Sequence, residues 1–141
     1  MARTFRSKFA ALALLLASTL AGSASAQEST KIHFPAGASG TTVSGAIVGH
    51  DYFDYLLGAR AEQTASASIQ VEKTNGDGTI YFNILPPGSQ NEAIFIGSMS
   101  TDGRANLVLP RDGDYRIRVY LMGNDQDTGK RVEFSLRVSV N

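Results

Sequence analysis

From Asp114 to Met122, and again from Arg131 to Val140, apolar and polar residues alternate almost one for one. A period of two belongs to a β-strand with one buried face and is out of step with the 3.6-residue period of a helix. Tyr115, Ile117, Val119 and Leu121 point one way, and Asp114, Arg116, Arg118 and Tyr120 the other. In the second stretch Val132, Phe134, Leu136, Val138 and Val140 oppose Arg131, Glu133, Ser135, Arg137 and Ser139. The two apolar sets must share a core. The polar sets are then expected to place Arg116, Arg118, Arg131 and Arg137 on one solvent-facing surface, with Glu133 as the nearby acid.

The chain upstream repeats this short, interrupted pattern. Lys31 to Phe34 reads as a strand ended by Pro35, and Gly37 to Gly40 as a turn. Thr42 to Val48, Asp51 to Leu57 and Ser66 to Lys73 follow as strands, with Gly58 to Gln63 too short to hold a stable helix. Asn75-Gly76-Asp77-Gly78 is a dense turn signal that suggests a hairpin into Thr79 to Leu85, which Pro86-Pro87-Gly88 stops. Ala93 to Ile96 and Ala105 to Leu109 complete the set. The expected fold is all-β: an antiparallel sandwich or jelly roll of about eight to nine strands.

Residues 1–26 are expected to lie outside that fold. Arg3, Arg6 and Lys8 precede a wholly apolar run from Phe9 to Ala17, and Ala24-Ser25-Ala26 offers small residues for cleavage. This is the layout of a secretory signal peptide, and nine apolar residues fall far short of the roughly 20 that span a bilayer. A single domain over residues 27–141 is expected, periplasmic or secreted. Removing residues 1–26 takes three of the 13 basic side chains and none of the 13 acidic ones, so the remainder carries a formal charge of −3. A mildly acidic domain without a concentrated basic face is a poor match for nucleic acid or anionic lipid, and a small basic protein is the better electrostatic partner.

The residues that chemistry would need are missing. Without cysteine there is no disulfide, no thiol nucleophile and no cysteine-held metal. Asp51 and Asp54, three apart on a strand, face opposite sides and cannot flank one scissile bond. His33 and His50 have no ligand spacing, and Asp125-Gln126-Asp127-Thr128-Gly129 lacks the closing glutamate of a helical calcium loop and reads as a polar hairpin loop. No serine sits in a Gly-x-Ser-x-Gly elbow. A non-enzyme with no metal and no cofactor is expected, acting through loops. Tyr52, in Gly49-His50-Asp51-Tyr52-Phe53-Asp54-Tyr55, is either a core aromatic or a contact anchor, since tyrosine is favoured at both.

Several stretches resemble one family. Ser44-Gly45-Ala46-Ile47-Val48-Gly49-His50-Asp51-Tyr52, Ile84-Leu85-Pro86-Pro87-Gly88, Leu109-Pro110-Arg111-Asp112-Gly113-Asp114-Tyr115-Arg116-Ile117-Arg118-Val119 and Asn124-Asp125 are similar to the periplasmic inhibitors of goose-type lysozyme. The similarity runs over nearly the whole chain after the leader. It implies a β-sandwich like the pre-peptidase C-terminal domain, whose members share the Leu-Pro-x-x-Gly-x-Tyr string. It also implies an inhibitor whose loops block the lysozyme's peptidoglycan-binding cleft, with Asp51, Tyr52, Asn124 and Asp125 as contacts. Family members flank the Asn-Asp pair with arginines, whereas Gly123 and Gln126-Asp127 stand here; Lys130 and Arg131 are the nearest basic residues to take that role. The alternative is a non-inhibitory module of the same fold that binds glycan, cell-wall polymer or a secreted protein. Tyr52 and Asn124-Asp125 meeting at one end of the sandwich would favour cleft insertion, and exposed aromatics on one sheet face would favour glycan.

Overall fold

The computed structural model describes residues 29–141, and the expected signal peptide lies outside them. Nine strands among the described residues form two packed sheets. In chain order they are β1 (Ser29–Lys31), β2 (Gly40–Val48), β3 (Tyr52–Ala59), β4 (Thr64–Thr74), β5 (Ile80–Leu85), β6 (Phe95–Ile96), β7 (Ala105–Val108), β8 (Gly113–Leu121) and β9 (Arg131–Val140). One sheet runs β1-β3-β8-β5-β6 and the other β2-β9-β4-β7. All pairs are antiparallel except β1 with β3. A short helix, α1 (Gly123–Asp127), interrupts the connection from β8 to β9.

The alternation seen in the sequence builds the core. Tyr55, Leu57, Phe82, Ile84, Tyr115, Ile117, Val119 and Leu121 from the five-stranded sheet meet Ile47, Ala67, Val132, Phe134, Leu136 and Val138 from the four-stranded one. Each large apolar side chain in this layer contributes roughly 1.5–3 kcal/mol over leaving it in water.

Two sequence expectations are corrected here, for one reason. β8 and β9 share a core from opposite sides, so they sit in different sheets and their polar faces point in opposite directions. Arg116 and Arg118 lie on the outer face of the five-stranded sheet, and Arg131 and Arg137 on that of the four-stranded sheet. Likewise β4 and β5 are not a hairpin. Asn75 to Thr79 carries the chain over one end of the sandwich from one sheet to the other. A third difference is local: the first strand ends at Lys31 rather than running to Phe34, although Ile32 N–H still donates to the Leu56 carbonyl.

The Leu109 to Tyr115 string has a structural meaning. Leu109 is buried in the core, and Tyr115 Oη donates 2.6 Å to the Arg111 carbonyl while accepting from Arg111 N–H. This is the tyrosine-corner arrangement of β-sandwiches. Gly113 sits between them at φ 136°, and a Cβ there would lie 2.8 Å from the Pro87 ring. The position requires glycine on both counts.

Candidate partner-binding end of the sandwich

Three connections converge at one end of the molecule, and one carboxylate ties them together. The β2–β3 turn (residues 49–51), the β4–β5 crossover (residues 75–79) and the α1 connection (residues 122–130) meet there. Asp125 Oδ1 accepts from Asp77 N–H at 2.8 Å, and Oδ2 accepts from Gly78 N–H at 2.6 Å and Thr79 N–H at 2.8 Å. Those hydrogen bonds, from Asp77 foremost, and the charge of Lys130 hold its carboxyl below the usual carboxylate range. Met122 N–H donates to the Thr79 carbonyl, Gly49 N–H to the Lys130 carbonyl, and Arg131 N–H to Asn75 Oδ1. Gly76 leaves the space that Asp125 occupies, since a Cβ at that position would collide with the carboxylate.

The sequence-named residues fall into three groups. Asp51, Tyr52 and Asn124 are exposed around this end. Asp125 is fully buried and cannot touch a partner; its carboxylate is consumed by three backbone N–H groups, so its contribution is to hold α1 against the crossover. The loop around it is a short helix rather than the hairpin loop expected from its composition. Lys130 is half-buried between Gly49 and Asp125, and Arg131 is exposed on the outer face of the four-stranded sheet, its Nη2 2.9 Å from Glu133 Oε1. Arg131 therefore does not share a face with Tyr52.

Tyr52 opens β3 on the outer face of the five-stranded sheet and remains 37% exposed. Tyr52 is therefore not a core aromatic. Across the strands it lies opposite Tyr120, which in turn lies opposite Tyr81. Two residues along, Asp54 is fully buried, although it too points to the outer face. Arg118 covers it with a two-pronged contact, Nε to Oδ1 at 2.8 Å and Nη2 to Oδ2 at 2.9 Å, and Arg116 Nη1 stands 3.5 Å from Oδ2. The same Arg118 guanidinium carbon sits 4.3 Å from the centre of the Tyr52 ring. Alternation along β3 puts Tyr52 and Asp54 on one face but does not identify Arg118 as their partner. The register of β3 against β8, with Asp54 opposite Arg118, supplies that information.

No family model matches the chain. It is 29% identical over 128 residues, 90% of this chain and 92% of the relative, to the inhibitor of g-type lysozyme of Escherichia coli (strain K12). It is also similar to the crystal structure of the periplasmic g-type lysozyme inhibitor of Aeromonas hydrophila, with 32% identity and a TM-score of 0.72, covering 81% of this chain and 96% of that one. The chain belongs to the family of periplasmic inhibitors of g-type lysozyme. The pre-peptidase C-terminal domain of a Bacillus anthracis collagenase shares the fold at 18% identity and a TM-score of 0.54, covering 82% of this chain and 97% of that domain. That wider likeness agrees with the structural roles of Leu109, Gly113 and Tyr115, which build a sandwich rather than the inhibitor surface.

Proposed function

We propose that this chain inhibits a g-type lysozyme in the periplasm, after removal of residues 1–26, by presenting the Tyr52 and α1 end of the sandwich to the enzyme's substrate cleft. It is a binding protein, not an enzyme. Family membership supplies the target, and the observation that carries the site is the convergence of the Asp51-Tyr52 turn and exposed Asn124 at one end. Within it, Tyr52 is the anchor: a half-exposed aromatic with a rigid body and a polar tip, of the type enriched at interface hot spots. Asp51 and Asn124 flank it as polar contacts, Lys130 supports the turn, and Asp125 sets the helix beneath.

The test is lysis of peptidoglycan by g-type, chicken-type and invertebrate-type lysozymes with the protein added at rising molar ratio. Stoichiometric inhibition confined to the g-type enzyme is expected. Full activity of all three enzymes at micromolar protein overturns the inhibitor reading and leaves the glycan- or polymer-binding module in its place. Intact mass of the exported protein tests the leader: a chain beginning at Gln27 is expected, and retention of residues 1–26 contradicts it.

A further inference from the structure

The ion pair beneath Tyr52 sits where a sandwich does not need one. The outer face of a sheet is open to water, yet Asp54 is fully buried there and Arg118 is left only 18% exposed in its side chain. Burying two charges is expensive, and replacing such a pair with packed apolar residues is often neutral or stabilising. The same face accommodates apolar side chains, since Leu56 and Leu85 flank Arg116 in the next row. Stability alone is thus a weak reason for Asp54 and Arg118.

Their geometry gives a stronger one. Two of the guanidinium nitrogens are fixed on the two Asp54 oxygens, and the third, Nη1, donates to the Gln90 carbonyl at 3.3 Å. The Asp54 hydrogen bond raises the affinity of the guanidinium for its proton further, so the charge is permanent. A planar cation held at all three nitrogens cannot rotate, and the Tyr52 ring lies against it at 4.3 Å. An aromatic held in place before contact loses less side-chain freedom on binding than a mobile one.

We infer that Arg118, clamped on Asp54, is a positioning residue that fixes the Tyr52 ring in the orientation in which it meets the lysozyme. This rests on the inhibitor reading above. Arg118 acts through Tyr52, so the two substitutions are not independent. Inhibition constants against a g-type lysozyme are measured for the wild type, Tyr52→Ala, Arg118→Met and the double variant, each checked by denaturant unfolding. Arg118→Met is expected to weaken inhibition about tenfold or more, and the double variant to match Tyr52→Ala within about a factor of two. Arg118→Lys, which keeps the charge and loses the fork, is expected to behave like Arg118→Met. Wild-type inhibition by either Arg118 variant, or a double variant weakened by the product of the two single effects, overturns the inference.

A second readout covers a variant that fails to fold. In the wild-type protein the Arg118 side-chain protons should be displaced upfield by the Tyr52 ring current, and Tyr52→Ala should abolish the displacement. Undisplaced Arg118 resonances overturn the clamp. Absence of inhibition by the wild type overturns the inhibitor reading instead, and the ring-current result then judges the clamp by itself.

Discussion

Asp125 shows how a single side chain organises this end of the molecule and why its role was hidden in the sequence. Its three donors, Asp77, Gly78 and Thr79, lie 46 to 48 residues away. Nothing in the Asn124-Asp125 pair itself distinguishes a buried acceptor from an exposed contact. Because its carboxyl is held below the ordinary range in the folded state, the unfolded chain binds the proton more readily as pH falls. The stabilisation is therefore complete above the ordinary carboxylate range and is lost progressively as pH falls below that range through the depressed folded-state value. Thermal melts of wild type and Asp125→Asn from neutral pH downward should show a lower Tm for the variant at neutrality, by about 5 °C or more, and a gap that narrows toward about pH 3. A constant gap would mean that the charge on Asp125 is irrelevant. Gly76→Ala forces a methyl into the same carboxylate and should destabilise by about 1–3 kcal/mol in urea titration.

At the scale of elements, legibility followed the strength of the period-two signal. The bounds of β9, Arg131–Val140, coincide with the alternation, and β8 differs from its expected span by one residue at each end. What alternation cannot encode is which sheet a strand joins. Two strands that bury their apolar faces against each other look alike in sequence whether they are neighbours in one sheet or stacked across a core. Hence the expected hairpin at Asn75 to Gly78 and the expected single arginine face both failed. Helix α1 was illegible for a different reason, since five residues cannot form a stable helix alone and its anchor comes from the crossover. Gly123, at φ 62°, opens that helix, so an arginine substituted there to mimic the family's flanking pattern enters a strained backbone. The Leu109 to Tyr115 string could be read for fold but not for function, as the tyrosine corner explains. Tyr115→Phe leaves the Arg111 carbonyl without its donor and should cost about 1–3 kcal/mol of stability in denaturant titration, without changing inhibition once the protein is folded.

For the whole molecule, the sandwich is the scaffold that holds the β2–β3 turn, the β4–β5 crossover and α1 together at one end. Phe134 packs edge-on to Tyr55, with ring centres 6.3 Å apart, at the join between the two sheets. Phe134→Ala should therefore cost roughly 3–5 kcal/mol in denaturant titration, and a loss under about 1 kcal/mol would be inconsistent with the shared core. After removal of the leader, the net charge of −3 should speed association with a basic lysozyme at low salt, an effect that weakens as ionic strength rises. Of the six residues that the family resemblance implies, Asp51, Tyr52 and Asn124 are exposed around one end, whereas Asp125 is buried and Arg131 lies on another face. The support of that end by Asp125, Asp54 and Arg118 was not legible in the sequence, because register and burial are long-range properties. The most direct measurement is the inhibition constant of wild type and Tyr52→Ala against a g-type lysozyme, with both proteins shown to be folded by circular dichroism. Inhibition by the wild type that falls about tenfold or more in Tyr52→Ala is the expected result, and equal inhibition by the two proteins would contradict the assignment of this end as the lysozyme-binding site.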